Sequence, residues 1–136
     1  MKTSRLKYNT FLILSLLLVY LVFLSFTFLS GSVPEKLVIA FNNGNYKEIS
    51  NFLNDDVELD IMDQEGIYGK MQAEQILKLF FQKNKPLKFS ILHEGGKEKT
   101  WYVIGQLKTS NENFRINFLF KSNIILQLRI ESDNGN

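Results

Sequence analysis

The final third of the chain contains four consecutive segments in which apolar and polar residues alternate. Such alternation places successive side chains on opposite faces of a β-strand. The segments are Leu87 to Glu94, Thr100 to Thr109, Phe114 to Lys121 and Ile124 to Glu131, and the turns between them are Gly95-Gly96-Lys97, Ser110-Asn111-Glu112-Asn113 and Ser122-Asn123. Because short turns join neighbouring antiparallel strands, the pattern predicts a four-stranded antiparallel meander.

Upstream of this meander, apolar residues spaced at i, i+3 and i+4 predict two short helices. The first begins near Pro34 and ends at Asn43-Gly44, and the second begins near Tyr46 and ends at Asn54-Asp55. The residues on their apolar faces are Leu37, Ala40 and Phe41 in the first helix and Ile49, Phe52 and Leu53 in the second. Both helices are therefore expected to bury one face.

A hairpin and a longer helix are predicted between these helices and the meander. Alternation over residues 57–61 and a turn at residues 63–66 predict the hairpin, and the long helix lies between Gly69 and Pro86. The side chains expected to face the core are Val57, Leu59 and Ile61 in the hairpin and Ala73, Ile76, Leu77 and Phe80 in the helix. The resulting order, α-α-β-β-α-β-β-β-β, predicts an α+β fold in which helices pack on the concave side of a strongly bent sheet.

The first 32 residues have the composition of a secretion signal. Lys2, Arg5 and Lys7 form a basic start, and an apolar run follows from Phe11 to Leu29. Ser30-Gly31-Ser32 then supplies small residues at the positions that a signal peptidase reads. The pattern predicts cleavage after residue 32.

Two fates are open to this segment. As a signal peptide, residues 1–32 are removed, and residues 33–136 form a single domain exported by the Sec route to the periplasm or the extracellular space. As an uncleaved anchor, the apolar run of 19 residues is close to the length of about 20 that crosses a bilayer, and it holds the domain at the inner membrane. The basic start stays in the cytoplasm in both cases, so both place the domain outside it.

Removal of residues 1–32 also changes the charge balance. The chain has 16 basic and 14 acidic residues, and three basic and no acidic residues precede Val33, which leaves 13 against 14 and a net charge of −1. A near-neutral domain without a basic stripe argues against nucleic acid as a partner.

The absence of cysteine excludes disulfides, thiolate metal ligands and a cysteine nucleophile.

Short stretches across the predicted domain resemble a known bacterial family. They are Ile39-Ala40-Phe41, Gly44-Asn45, Val57-Glu58-Leu59, Gln72-Ala73-Glu74-Gln75-Ile76-Leu77, Phe80-Phe81, His93 with Gly95, Ile104-Gly105, Phe114-Arg115-Ile116 and Leu128-Arg129-Ile130-Glu131. They resemble the exported bacterial family named domain of unknown function 4783, and the order of elements is similar to the nuclear-transport-factor-two-like, or cystatin-like, cone fold. The resemblance implies this fold and export, and it brings no known activity.

The cone fold includes both enzymes and binding modules, so the fold does not decide between these functions. Individual residues have to indicate which one this domain performs. An isomerase, lyase or hydrolase needs an acid/base aimed into the apolar cavity and a hydrogen-bond donor beside it. His93 is the only histidine, and Tyr68 or Tyr102 could be the donor. Alternation predicts that His93 shares a strand face with Phe89 and Ile91. A histidine that is simply hydrogen-bonded at a strand end has the same sequence pattern.

A non-enzymatic binding module is the interpretation that the residues favour. The side chains expected inside the cone are aromatic and aliphatic, with no convergent polar group. The candidate ligand contacts are Phe89, Ile91, His93, Tyr102 and Phe118. We therefore expect a small apolar ligand in the cone or a partner protein on the sheet, and the enzyme using His93 is the alternative.

The last two predicted strands also suggest a protein interface. One face holds the phenylalanines, and the other mixes arginine with apolar residues, which is typical of interfaces. The interface candidates are Arg115, Leu119, Ile125 and Arg129. A homodimer through this sheet face is one prediction, and ordinary cross-strand charge pairs on a wet surface are the other.

Six acidic residues are concentrated within residues 55–65. They lack the Asp-x-Asp-x-Asp-Gly spacing of a calcium loop, and their alternation with apolar residues is that of a solvated strand face. No metal ion is therefore expected. No cofactor is expected either, since the sequence contains no phosphate-cradling loop and no pair of histidines.

Overall fold

The computed structural model of the protein describes residues 2–24 and 32–133. The chain divides into two compact units, Met1–Ser30 and Gly31–Asn136. The first unit contains helix α1 (Lys2–Leu24). The end of the predicted apolar run and most of the predicted cleavage signal fall within residues 25–31, which lie outside the described residues. Among the described residues, no helix combines the length and the apolar character needed to cross a membrane.

The two short helices of the second unit are each bounded by a capping residue. Helix α2 (Glu35–Asn43) ends at Gly44, whose left-handed φ of 65° suits a residue without a Cβ atom. Helix α3 (Tyr46–Ser50) is capped by the side chain of Asn45, which accepts a backbone hydrogen bond from the first turn. Helix α4 is the longest of this unit and spans Lys70–Lys83.

The strands of the second unit form one six-stranded, curved and unclosed sheet. The strands are β1 (Leu53–Ile61), β2 (Gln64–Gly69), β3 (Pro86–Lys97), β4 (Thr100–Thr109), β5 (Asn113–Lys121) and β6 (Ile124–Ser132). Their order across the sheet is β2-β1-β6-β5-β4-β3. β1 and β6 are parallel, and the other neighbouring pairs are antiparallel. The predicted α+β class, element order and antiparallel meander are confirmed.

The two faces of the sheet have different roles. The inner face carries the side chains that pack against α2, α3 and α4, and the outer face is its opposite side. Val57 and Leu59 of β1 are fully buried with Leu77 and Phe80 of α4 in one apolar core. The predicted apolar sides of the hairpin and of the long helix therefore meet, as amphipathic elements must when they bury their apolar faces.

Aromatic rings fill the space between the inner face and α2. The ring of Phe41 stacks on Phe89 at a centroid distance of 4.9 Å and meets Phe118 edge-on at 5.4 Å and Phe81 edge-on at 5.9 Å. Burial of each such ring contributes about 1.5–3 kcal/mol. This cluster fixes the position of α2 against the sheet.

The predicted end of the second helix is wrong. Leu53 was expected on that helix but is the first residue of β1, and α3 stops at Ser50. The carbonyl of Phe52 accepts a hydrogen bond of 2.7 Å from the N–H of Ile125. This bond joins Phe52 to β6. Leu53 therefore lies in the sheet, although its apolar spacing is that of a helix.

Two predicted turns are also displaced. The glycines of Gly95-Gly96-Lys97 lie in the extended strand β3, and the turn is formed by residues 98–99, with a φ of 56° at Glu98. The hairpin turn consists of Met62 and Asp63 instead of residues 63–66. Glycine-rich strand ends permit close backbone approach, so glycine alone did not mark a turn here.

Candidate functional site

A bulge in β3 determines where the histidine points. Ile91 pairs with Gly105 on the inner face, whereas His93 pairs with Ile104 on the outer face, so one extra residue lies between the two pairs. The prediction that His93 shares a face with Phe89 and Ile91 is therefore wrong. The bulge interrupts the alternation on which that prediction rested.

His93 and Tyr102 form a pair on the outer face. Nε2 of His93 lies 3.2 Å from the hydroxyl oxygen of Tyr102, and the ring centroids are 5.7 Å apart. Both side chains are exposed to solvent. Tyr68 lies on the other edge strand, β2, where it pairs with Val57 of the inner face and its hydroxyl is 3.5 Å from the side-chain oxygen of Gln64. The structure therefore brings His93 together with Tyr102 but not with Tyr68.

The candidate ligand contacts also separate into two groups. Phe89 and Phe118 are buried on the inner face with ring centroids 6.3 Å apart, and Ile91 packs against the same core. His93 and Tyr102 lie on the outer face. The first group is part of the folded core, and the second is a surface pair, so these five residues do not line one site.

The candidate interface residues are divided by a second bulge. Arg115, Leu119 and Arg129 lie on the outer face, but Ile125 is fully buried on the inner face. The bulge in β6 pairs Ile125 with Phe120, an inner-face residue. The predicted place of Ile125 in an interface is therefore wrong, because the side chain belongs to the core.

Arg129 connects the charged groups of β1 and β6 on the outer face. Its Nε lies 3.0 Å from Oδ2 of Asp60, and its Nη1 lies 3.6 Å from Oε1 of Glu131. Nearby, Nε2 of Gln127 donates to Oε1 of Glu58 at 2.9 Å. Such exposed pairs contribute about 0–1 kcal/mol each, so they orient side chains more than they stabilise the fold.

Within residues 2–24 and 32–133, no three acidic or histidine side chains are grouped as a metal site.

A groove lies between α4 and the turn that joins β1 to β2, and we name it the α4 groove. Its volume is about 280 Å³. It is lined by Ile61, Met62, Asp63, Gln64, Gln75, Ile76 and Leu79. Ile61 is fully buried, Ile76 is partly buried, and Leu79 is 64% exposed. The α4 groove therefore combines an apolar floor with an apolar rim that water reaches.

The turn residue Met62 shapes the α4 groove. Its φ of 58° is left-handed, a conformation that few residues other than glycine adopt, and its side chain is 45% exposed. Met62 and Asp63 also line a second depression of about 260 Å³, whose walls include Lys83 and Glu112. An apolar groove and a more polar depression thus meet at this turn.

The sequence predictions missed the α4 groove. Leu79 lies outside the apolar stripe predicted for the long helix, and Met62 falls in the hairpin turn. An exposed leucine on an amphipathic helix is the signal that could have pointed to the groove. That signal is weak, because single exposed leucines are common on protein surfaces.

Comparison with known proteins identifies similar domains. The family model described as Domain of unknown function (DUF4783) matches residues 34–132. The crystal structure of a DUF4783 family protein from Bacteroides uniformis ATCC 8492 is 35% identical, with a TM-score of 0.70, and the match covers 76% of this chain and 100% of that chain. A DUF4783 family protein from Bacteroides ovatus ATCC 8483 is 33% identical, with a TM-score of 0.71 and coverage of 78% and 100%. No curated protein matches the chain.

A more distant structure shares the fold alone. It is an NTF-2 like protein of unknown function from Burkholderia xenovorans LB400, with 15% identity and a TM-score of 0.54, and the match covers 74% of this chain and 80% of that chain. The predicted nuclear-transport-factor-two-like fold is therefore confirmed. Because this fold carries many functions, the match does not select one of them.

Proposed function

We propose that this chain, which belongs to the DUF4783 family of domains of unknown function, is a binding module whose α4 groove holds a small apolar molecule. The observation that carries the proposal is the apolar lining by Ile61, Ile76 and Leu79 beside the solvent. Covering such a surface with a ligand gains about 25 cal/mol per Å² of apolar area removed from water.

The size and the rim of the α4 groove restrict the ligand. Ligand pockets commonly measure about 300–1,000 Å³, and the α4 groove, at about 280 Å³, suits one or two rings or a short alkyl chain. Gln64 and Gln75 place amide groups at the rim, where they can orient a polar substituent. The carboxylate of Asp63 disfavours an anionic group at this position.

The α4 groove is a different place from the cone interior that the sequence suggested. In that interior, Phe41, Phe89 and Phe118 are buried and their rings contact one another. A ligand between these rings has to displace core side chains. The cost in free energy is comparable to that of overpacking a core, roughly 1–3 kcal/mol. The open groove requires no such rearrangement.

The enzyme alternative has less support. His93 and Tyr102 are hydrogen-bonded to each other, but they lie exposed on the outer face. Acid–base catalysis of the isomerase or lyase type relies on a site that excludes water around the developing charge. Binding without chemistry is therefore the function that we propose.

The binding module is proposed to act outside the cytoplasm. The basic residues Lys2, Arg5 and Lys7 before the apolar run support export. The intact mass of the protein isolated from its host checks this. A product that begins near Val33 supports a cleaved signal peptide, and a full-length product in the membrane fraction supports an anchor. A full-length product in the cytosol contradicts export.

The Bacteroides uniformis protein crystallised as a domain whose whole length matches 76% of this chain. The ligand proposal is therefore tested with residues 32–136, which contain the matching domain. The probe is N-phenyl-1-naphthylamine, a neutral dye whose fluorescence rises in apolar sites. Leu79→Glu places a charge on the rim of the α4 groove and is expected to weaken dye binding by about tenfold or more. Leu87→Glu is the matched control, since Leu87 is also 64% exposed but lies in β3.

Two results contradict the ligand proposal. One is the absence of saturable dye binding by the wild-type domain. The other is equal loss of binding in both variants, which indicates a dye site away from Leu79. Retained far-UV circular dichroism in both variants shows that their folds are intact.

A further inference from the structure

The apolar floor of the α4 groove continues past the turn at Met62. Ile61 lines the groove and pairs with Ile130 of β6. Ile130 and Phe114 of β5 also line the second depression, where they are only 4% and 6% exposed. The two depressions share Met62 and Asp63 as lining residues. One apolar floor, formed by β1, β6 and β5, therefore extends from the groove into the second depression.

Helix α4 forms a continuous wall beside this floor. Gln75 and Leu79 line the α4 groove, and Lys83 lines the second depression. Residues four positions apart lie on the same side of a helix, so these three side chains form one row. At a rise of about 1.5 Å per residue, the row extends for about 12 Å along the helix axis. A molecule that lies along α4 can therefore reach from the groove into the second depression.

The second depression differs from the α4 groove in its rim. Its rim carries the carboxylates of Asp63 and Glu112 and the ammonium of Lys83, whereas Met62 and Leu79 supply exposed apolar side chains at the rim of the groove. All three charged residues are exposed. Within residues 32–133, no ion pair joins any of the three to an oppositely charged side chain. These charges are therefore available to a ligand.

The two carboxylates are held more firmly than the ammonium. Oε2 of Glu112 accepts a hydrogen bond from the hydroxyl of Ser132, and no side chain of residues 32–133 donates to Oε1. The carboxylate of Asp63 is on a short side chain in the turn between β1 and β2. The ammonium of Lys83 is on a flexible four-carbon stem, so it can move into solvent when another cation enters. The second depression therefore suits a cation better than an anion.

We propose that the ligand of this domain is an amphiphile with a cationic head group. Its apolar part lies in the α4 groove against Leu79, and its ammonium lies in the second depression between Asp63 and Glu112. This inference rests on the proposed function, because it requires an apolar group in the α4 groove. It adds the chemical class of the ligand, which is a short alkyl or ring amine rather than a hydrocarbon, an alcohol or a fatty acid.

The test compares three competitors of N-phenyl-1-naphthylamine that share one alkyl chain. Octylamine, 1-octanol and octanoate are titrated against the dye complex of residues 32–136 at about pH 7, where the amine is protonated and the acid is ionised. Octylamine is expected to displace the dye at a concentration about tenfold lower than 1-octanol, and octanoate at a concentration about tenfold higher. Because the chains are identical, the order reports the head group.

Three variants locate the head group. Glu112→Gln removes a charge but keeps an acceptor for Ser132, and it does not alter the lining of the α4 groove. It is expected to reduce the advantage of octylamine over 1-octanol by about threefold or more and to leave displacement by 1-octanol unchanged. Lys83→Gln is expected to enlarge that advantage, because it removes a like charge. Glu35→Gln is the matched control, since Glu35 is an exposed glutamate of α2 that lines neither depression.

Three results overturn the inference while dye binding itself is intact. The first is equal displacement by octylamine and 1-octanol. The second is stronger displacement by octanoate, which indicates an anion site at Lys83. The third is an advantage of octylamine that is the same in Glu112→Gln and in Glu35→Gln, which means that the ammonium does not lie at Glu112. Absence of saturable dye binding is a distinct result, because it contradicts the proposed function and the inference with it.

Discussion

Ile91 and His93 lie two residues apart in β3, yet their side chains emerge on opposite faces of the sheet. Ile91 pairs with Gly105 and His93 pairs with Ile104. In an unbroken strand, residues two positions apart share a face. Leu92 is the extra residue that changes this, and its side chain is 58% exposed. The bulge therefore directs the histidine to the outer surface.

Deletion of Leu92 is expected to be tolerated. It removes the bulge while Ile91 stays inside and His93 stays outside, so the free energy of unfolding is expected to change by less than about 1 kcal/mol. Urea denaturation followed by the fluorescence of Trp101, which is 6% exposed, measures this. Deletion of Ile104 is the comparison, because β4 pairs with β5 in continuous register and the shift turns core residues outward. An equal loss in the free energy of unfolding for both deletions contradicts the bulge assignment.

Truncation of Phe41 is expected to destabilise the domain strongly. Its ring is fully buried and contacts three other phenylalanine rings, so Phe41→Ala is expected to cost about 3–5 kcal/mol through the cavity it leaves. Ile39→Ala on the same helix, at a side chain that is 50% exposed, is expected to cost far less. Denaturant titration of both variants checks the difference, and similar losses argue against the ring cluster as the contact that holds α2.

Gly105 is expected to accept no side chain. A Cβ atom at this position lies 2.5 Å from Cε2 of Phe89, below the distance that packed carbon atoms adopt. Gly105→Ala therefore pushes the Phe89 ring out of the core and is expected to cost about 1–3 kcal/mol. Gly69→Ala is the control, since no heavy atom lies within 4 Å of its added Cβ atom. The melting temperature of each variant gives the comparison, and an unchanged value for Gly105→Ala refutes the contact.

The side chain of Asn42 is expected to stabilise the junction of α2 with the sheet. Its Oδ1 accepts from the N–H of Phe89 at 2.9 Å, and its Nδ2 donates to the carbonyl of Val38 at 2.9 Å. Asn42→Ala leaves the Phe89 N–H without this acceptor and is expected to cost about 1–3 kcal/mol. Asn42→Asp keeps the acceptor and is expected to cost less. Hydrogen exchange of the Phe89 amide distinguishes the two variants, and equal protection in both contradicts this role.

The sequence was most informative where the side-chain period is regular. Alternation over residues 57–61 identified the buried face of β1, and the stripe of α4 includes Ala73 and Leu77, both fully buried. β5 runs in continuous register with β4, and the alternation in β5 also predicted which of its faces is buried. A period of two or of 3.6 follows from backbone geometry alone, which is why a single sequence reveals it.

The bulges could not be recognised in the sequence. Leu92 follows Ile91, and Leu126 follows Ile124-Ile125, so each bulge lies in a run of apolar residues. Such a run supplies an apolar side chain in either register, and the pattern does not mark the extra residue. The α4 groove could not be predicted from the sequence either. It depends on the left-handed turn at Met62 and on the approach of α4 to that turn.

The parallel pair formed by β1 and β6 affects how the domain is made. β6 follows all the other strands that the structure describes, yet it lies between β1 and β5, and its Gln127 contacts Glu58 of β1 across 69 residues. The meander can form locally, but the β1–β2 hairpin has no place to dock until β6 has been synthesised. Completion of the sheet therefore waits until β6 has left the ribosome, and until then β1 and β2 lack the strand that connects them to the meander.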